Sequence, residues 1–393
     1  MNHTGPTYIL RYDALDQQIS FEGIFRLADD GEVGAVFAYL SAIHDQVQGA
    51  LRLNFRRLRY INAEGMRALS LFVAFARTRD SLTLKIIASN VLAWSVRFLP
   101  NLRAVWDAVE FSVYDQQFYA SQDMVENLDF IPLLRNQTRI LWPLEQGVLQ
   151  QHGLRRGMRV ADICCGCGDG ALLIARELAP SAVVGVDHSE AAIAYARGLQ
   201  MEFAVRNAEF QRGDATALLL DDESFDFVLC RLSLQIFSRP ELILRELMRI
   251  VRPGGRVYVT GEDYDLIVGY PESALIRQTY DRAAIYGDML GMDLRGGKKL
   301  FGMLAAARLE DIRTDQIVVN STTTDRAAFA QVVESWRDFS VQTIGGRLQL
   351  SEADQSSLRA GYDAQLRTIH KPDGYATWTI VACSGRKPLG RSH

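Results

Sequence analysis

The chain has little of what marks a secreted, metal-bound or membrane-embedded protein. Only five cysteines occur in 393 residues, at 164, 165, 167, 230 and 383. None is spaced as a disulfide framework, which makes a reducing cytoplasm the expected home. The cluster Cys164-Cys165-x-Cys167 lacks the paired C-x-x-C knuckles and the histidine of a zinc site, so no metal is expected. No stretch approaches the ~18 apolar residues of a membrane span. Residues 1–7 are polar with no apolar run behind them, which speaks against a secretory leader. A net charge of −4 gives no pull toward nucleic acid or anionic membrane. Lysine is scarce, five of 43 basic residues, a bias that fits a GC-rich bacterial coding sequence. The local run Arg52, Arg56, Arg57 and Arg59 reads as a solvated strand end. What is present is ordinary globular composition, 48% hydrophobic and 23% charged, at a length that predicts two domains.

Residues 160–170 carry the strongest signal, Val-Ala-Asp-Ile-Cys-Cys-Gly-Cys-Gly-Asp-Gly. A short apolar strand over 159–163 holds Asp162. It runs into a loop of small residues built on Gly166, Gly168 and Gly170, and an apolar helical run follows over 171–178. Small residues let the backbone pass close to a ligand, and the helix N-terminus offers free N–H groups. The loop predicts a nucleotide-like ligand. Its glycines also satisfy G-x-G-x-x-A, so a nicotinamide oxidoreductase is an alternative on this stretch alone. Downstream residues discriminate. A strand over 182–186 ends in Asp187, near the ~20-residue offset of an acid that binds ribose hydroxyls. A strand over 208–212 ends in Gly213-Asp214-Ala215. Another, 225–230, is apolar but for Asp226. An amphipathic helix over 241–251 is broken by Arg252-Pro253-Gly254-Gly255, which starts a strand over 256–260.

That ordered set resembles the class I S-adenosylmethionine-dependent methyltransferases over roughly residues 135–393. The resemblance implies an α/β fold with a Rossmann-like seven-stranded sheet of order 3-2-1-4-5-7-6, whose last two strands are 310–320 and 375–383. It implies S-adenosyl-L-methionine as cofactor and distributes its contacts. Asp187 accepts from both ribose hydroxyls, and His188 packs on the adenine. Asp214 accepts from the adenine amino group, while Ala215 offers a backbone N–H. Gly166 and Gly168 let the methionine portion lie against the backbone. Cys230 and Arg231 flank the sulfonium and its methyl. Asp162 fixes the loop or reaches the cofactor's ammonium. One departure stands out: the family's loop is D-x-G-x-G-x-G, and its first glycine is here Cys164, beside the methionine end. Either the backbone at Cys164 is not in a glycine-only conformation, or the loop is displaced.

The same resemblance places substrate contacts after the fifth strand, in Gly261-Glu262-Asp263-Tyr264-Asp265. Glu262, Tyr264 and Arg231 are the expected catalytic residues, with Arg231 anchoring an anionic substrate or pairing with Glu262. Helices expected over 123–134 and 138–151, with Pro132 and Pro143 near helix starts, cap the cofactor. Arg139 would face the pocket; Trp142 faces it or lies in the core, the core being favoured. Helical inserts near 264–300 and 321–373 would form a lid. Their Tyr280, Tyr286, Phe301, Trp336 and Phe339 suit a small organic acceptor, although core packing explains most of them. The expected function is methyl transfer to O, N or C of a small molecule, as in bacterial specialised metabolism. The alternative is a regulatory protein that senses S-adenosylmethionine without turnover.

The first 115 residues are a different object. Strands over 8–12 and 19–27 precede a helix over 33–47, a strand over 50–55, a helix over 66–77, a strand over 82–88 and a helical stretch over 91–109 interrupted by Pro100. This order, with Ile61-Asn62-Ala63-Glu64-Gly65 before the second helix, resembles the STAS fold of anti-sigma-factor antagonists. Those domains commonly carry Asp-Ser at that turn, where the serine accepts phosphate. Asn62-Ala63 offers no hydroxyl, so a phosphoswitch there is disfavoured. The expected organisation is a STAS-like domain over 1–115, a helical linker and cofactor cap over 116–150, and a methyltransferase domain over 151–393. The first domain would be a module for homodimerisation or protein docking, or else a structural appendage.

Overall fold

Two runs of alternating strands and amphipathic helices give two units, Met1–Tyr119 and Ala120–His393. The computed structural model describes residues 2–14, 17–79, 82–89, 93–114 and 131–389. In the first unit the strands are β1 (Asn2–Thr4), β2 (Tyr8–Asp13), β3 (Gln18–Phe25), β4 (Gly49–Ile61), β5 (Leu82–Ser89) and β6 (Glu110–Tyr114). They form one sheet in chain order, antiparallel from β1 to β3 and parallel from β3 to β6. Helices α1 (Asp30–His44), α2 (Ala63–Arg79) and α3 (Ala93–Phe98) connect the parallel strands. The period-2 pattern of β5 buries Leu82, Leu84, Ile86 and Ala88 and leaves the residues between them half-buried.

The Asn62-Ala63 turn has a clear structural role. Asn62 Oδ1 accepts from Gly65 N at 3.0 Å and Leu27 N at 3.2 Å, and its Nδ2 donates to Leu27 O at 2.8 Å. Asparagine therefore caps α2 and ties it to the segment after β3. Expectation and structure differ at the margins. β4 is longer than 50–55, the edge strands β1 and β6 were not expected, and the stretch with Pro100 becomes a 3₁₀ turn over Leu99–Ala104. The side chains of Arg57 and Arg59 lie outside the described residues.

In the second unit, α4 (Ile131–Gln151) leads into β7 (Arg159–Ile163). Then come α5 (Asp169–Leu173) with a π turn over Ile174–Leu178, β8 (Ala182–Asp187), α6 (Glu190–Glu202), β9 (Ala208–Arg212) and β10 (Phe225–Arg231). Helix α7 (Pro240–Ile250) and strand β11 (Val251–Glu262) follow, then β12 (Val268–Tyr270), α8 (Ser273–Met289) and α9 (Leu300–Ala306). The chain closes with β13 (Glu310–Asn320), α10 (Arg326–Asp338), α11 (Glu352–His370) and β14 (Tyr375–Arg386).

The sheet runs β9-β8-β7-β10-β11-β14, and β13 pairs the other side of β14. Strands β7 to β11 are mutually parallel; β14 is antiparallel to both β11 and β13. Short β12 pairs with the start of β14, beyond the end of β11. Parallel strands are covered on both faces, which is why β10 buries every residue from Phe227 to Cys230. Their C-terminal ends share one edge of the sheet, where open α/β sheets bind ligands.

The two helices expected before β7 are corrected. Residues 123–130 lie outside the described residues, and from Ile131 onward there is one continuous helix. Pro143 sits in its interior, not at a start, and removes one backbone hydrogen bond. Burial of Leu133, Gln137, Ile140, Leu141, Glu145 and Leu149 along one face outweighs that loss. Among the described residues no helix is long and apolar enough to cross a membrane.

Candidate functional site

The loop after β7 is built by backbone geometry. Cys164 has φ +60°, Gly166 φ +56° and Gly168 φ +78°, all left-handed. The backbone at Cys164 thus keeps the conformation that favours glycine, although a side chain there costs roughly 1–2 kcal/mol. Its thiol shares a hydrogen bond with Cys230; that bond and burial push the thiol well above its ordinary range. Cys230, expected beside the sulfonium, is fully buried, and this partner explains its position. Gly166 N donates to Asp187 Oδ2 at 2.7 Å, joining the loop to the end of β8.

Glycine is required at 168 and 170 by packing. A Cβ on Gly168 would lie 2.6 Å from Ala196 Cβ on α6, and one on Gly170 would overlap the Arg231 guanidinium. Gly168 therefore supports helix packing and does not face the cleft described next, which corrects its expected contact with a cofactor. Gly166 does face it.

A cavity of about 160 Å³ opens at the C-terminal ends of β7, β8, β10 and β11. On the β8 side it is lined by Cys164, Gly166, Asp187, His188, Gly213 and Ala215. Across it stand Leu232, Ser233, Gln235, Ile236 and Phe237 after β10, Glu262 at the end of β11, Tyr264 just past it, and Gln137 from α4. Met292, Leu294, Trp336 and Phe339 from the inserts close the apolar side. Strands β8 and β11 are three strand spacings apart, so the cavity spans about 14 Å. Leu232, like Cys164, is a left-handed non-glycine residue lining this cavity.

Asp187 has Oδ2 on Gly166 N and Oδ1 on Ser189 N at 2.9 Å. Burial raises its pKa, and those two N–H donors oppose the rise. A carboxylate has about four lone-pair sites, so acceptor capacity remains for a ligand. Glu262 is 5% exposed, and burial pushes its pKa up to about 8. Gln137 Nε2 donates to its Oε1 at 3.4 Å. Tyr264 packs edge-to-face on Tyr280 with centroids 4.9 Å apart, and burial raises its phenol well above the ordinary range.

Arg231 is corrected. Its guanidinium grips Glu145 of α4, Nε to Oε1 at 3.0 Å and Nη2 to Oε2 at 2.6 Å, and Tyr258 Oη donates to the same carboxylate at 3.2 Å. It lies over Gly170 inside the unit and neither lines the cavity nor pairs with Glu262. Asp162 belongs to this buried group as well. Burial pushes it up to about 7 against the pull of the Arg231 cation, and it does not line the cavity.

Arg139 is also corrected: its Nη2 donates to Gln331 at 2.9 Å on an exposed face away from the cavity. Trp142 is core, with Nε1 donating to Glu177 at 2.7 Å. Asp214 does not line the cavity; its Oδ1 accepts from Thr216 N and Oγ1 at 2.8 and 2.7 Å and shapes the turn that presents Ala215. Tyr280 and Trp336 sit in the lid core, with Trp336 reaching the cavity, while Phe301 is exposed.

Gln137 and Gln235 were missed. Gln137 sits in the polar run 135–139, which gives no sign that it turns inward, whereas Gln235 stands as an isolated polar residue between Leu234 and Ile236. A further arrangement is structural: His152 joins Ser384 Oγ at 2.8 Å and Asp315 Oδ2 at 2.7 Å. The order mimics a Ser-His-Asp triad, but His152 and Ser384 are fully buried, and the hydroxyl also accepts from Arg256 at 2.9 Å. This network ties the end of α4 to the sheet.

Residues 154–308 match the family described as a methyltransferase domain. A demethylmenaquinone methyltransferase of Lactococcus lactis is 34% identical over 110 residues, 28% of this chain and 44% of that protein. One of Staphylococcus aureus is 32% identical over 111 residues, 28% of this chain and 45% of its own. The chain thus spans less than half the length of these curated relatives. A solved structure of Haemonchus contortus phosphoethanolamine N-methyltransferase 2 with S-adenosyl-L-methionine aligns over 95% of each chain at 17% identity, with a TM-score of 0.46. The second unit contains a methyltransferase domain.

Proposed function

We propose that the protein is an S-adenosylmethionine-dependent methyltransferase in which this cavity, open to solvent on one side, is where the cofactor's methyl meets a small-molecule acceptor. One observation carries the reading: a single cavity joins the glycine loop and Asp187 at β8 to buried Glu262 at β11. The residues present fit the cofactor. Asp187 has acceptor capacity left for a ribose diol, and Gly166 presents bare backbone. No Lys or Arg is among the described residues lining the cavity, so no like charge from them opposes a sulfonium cation there.

Bound there, S-adenosylmethionine supplies an already activated methyl group. The chain's own work is alignment and water exclusion, which can account for ~7–11 kcal/mol of barrier. Leu232, Ile236 and the lid aromatics exclude water. Asp187 orients the ribose, while His188 and Ala215 frame the adenine. Glu262, as carboxylate, takes the proton that an O–H or N–H acceptor releases. Tyr264 beside it positions the acceptor.

Asp187→Ala is expected to weaken S-adenosylmethionine binding by about 10²-fold, because a buried charged acceptor is lost. Calorimetry with unchanged affinity would remove this assignment. The first unit is read as a STAS-like docking or dimerisation module. Its parallel β-α repeats support that reading, and the capping role of Asn62 accounts for an asparagine where a phosphoswitch would need a hydroxyl. A fragment spanning 120–393 is expected to fold and bind the cofactor alone, since its sheet is complete without the first unit. Circular dichroism and calorimetry on that fragment check this; an unfolded fragment would make the first unit part of the catalytic fold.

A further inference from the structure

We infer that a groove on the outer side of α4 is a docking site for an acidic protein segment with an apolar anchor, held by Arg135, Arg139 and Arg176. The inference goes beyond the methyl-transfer reading and does not depend on it, because α4 stands between the groove and the cavity. Leu133, Leu134 and Gln137 face the cavity, whereas Arg135, Asn136, Thr138 and Arg139 face the groove. Three observations lead to it.

The first is charge. The groove, of about 780 Å³, lies between α4, α5 with its π turn, and α6. Three arginines line it against one acid, Asp169, in a chain whose net charge is −4. Asp169 is already engaged, accepting from Arg135 Nε at 3.2 Å and from Cys167 Sγ at 3.1 Å. Arg139 gives one N–H to Gln331. A guanidinium has five donors, so most of these remain for a ligand. Among the described residues Arg176 meets only the Phe203 ring, 5.2 Å from its centroid.

The second is how Arg176 and the rings are presented. Arg176 stands in the π turn over Ile174–Leu178, a local widening of the helix that is frequent at functional sites. Its ring partner Phe203, just past the end of α6, is 44% exposed, and nearby Met201 is 76% exposed. Arg135 lies over Tyr195 in the same manner, 5.5 Å from the centroid. An arginine stacked on a ring is held in place while the edge of its fork stays open to carboxylates. Phe203 and Met201 gain by being covered with an apolar side chain.

The third is shape and polarity. The groove is concave, with Leu172 and Leu173 in its lining, so a flat bilayer does not fill it. Asn136 and Thr138 bring acceptors as well as donors to its wall. A peptide backbone uses both; a phosphate ester oxygen only accepts. Arg135 and Arg139 are one helical turn apart, about 6 Å along α4. Arg176 comes from another helix, so the three charges are spread as carboxylates along a peptide are spread.

The test is fluorescence anisotropy of the full chain with a fluorescein-labelled heptapeptide, Glu-Asp-Phe-Glu-Leu-Asp-Glu. The peptide should bind, and more weakly as salt is raised. Arg139→Gln and Arg176→Gln should each weaken it about fivefold. The double reversal Arg139→Glu/Arg176→Glu should weaken it about 100-fold. Phe203→Ser should cost about fivefold, and so should replacing the peptide's Phe and Leu by Gly, which separates docking in the groove from attraction by charge alone. S-adenosylhomocysteine affinity, read by calorimetry, should be the same in every variant. If the double reversal does not fold, the single glutamine variants decide. A parent that does not bind the peptide overturns the inference, as do variants that bind it as the parent does. Equal binding of a Lys-for-acid version of the peptide also overturns it. So does phosphatidylglycerol vesicle binding that the parent shows in place of peptide binding and the double reversal loses, since the groove would then serve a lipid surface.

Discussion

Glu145→Ala is expected to destabilise the second unit by about 3–5 kcal/mol, the usual result of removing one partner from a buried ion pair. The Glu145 side chain is 2% exposed and that of Arg231 11%. Without Glu145, the guanidinium is left inside the unit, facing Asp162, whose own pKa burial has pushed up to about 7. Tyr258 loses its acceptor at the same time. Arg231→Ala should fall in the same range. The double variant Arg231→Met/Glu145→Leu should recover most of the loss, because two apolar side chains leave no charge unpaired. Urea denaturation of each variant measures this. Single variants within 1 kcal/mol of the parent would show that the pair is solvated and that Arg231 is free for another task. The prediction separates a structural from a catalytic Arg231: a structural arginine lowers stability, cofactor binding and turnover together.

That arginine also shows where sequence reading stops. An arginine at the end of an apolar strand is conspicuous in the sequence, and assigning it to a ligand is the natural inference. Its partner lies 86 residues earlier, on α4, whose single acid gives no local sign that it turns inward. Pairings across the fold of this kind are set by packing, not by local pattern. Strands β7, β9 and β13, by contrast, have the limits their residues imply. β7 and β9 are short runs stopped by small or glycine-bearing loops, and β13 follows a helix end. Asp187, Cys164, Gly166 and Glu262 line one cavity because each stands at or just past the C-terminal end of a strand, a position legible from strand limits alone. Gly168 was legible as a necessary glycine but not for its reason, since Ala196 and Phe210, which exclude a Cβ there, come from later elements. Pro143 misled in the other direction. Its local rule says start or break, and the buried face of α4 overrides it.

Glu262→Gln is expected to lower turnover by about 10²–10⁴-fold if Glu262 takes the acceptor's proton, the range for loss of a general base. The same substitution should make the protein more stable at alkaline pH. The sign follows from proton binding. Burial raises the Glu262 pKa from 4.5 to about 8, so the folded chain holds its proton where the unfolded chain has released it. That contribution is fully favourable below pH 4.5 and is lost as pH rises through about 8. Glutamine is neutral throughout and keeps an oxygen for Gln137. Parent and variant should therefore unfold alike in acid, and the variant should melt higher at alkaline pH. Each kcal/mol is worth about 2–4 °C for a unit of this size. Turnover of the parent should rise with pH through about 8 as the carboxylate forms, and the residual turnover of Glu262→Gln should lack that rise. Thermal melts and pH–rate profiles on the same two proteins decide it. A variant that loses turnover and stability together would mark Glu262 as a structural acid. One that keeps full turnover would move the proton to another group, with Tyr264 the neighbour to examine.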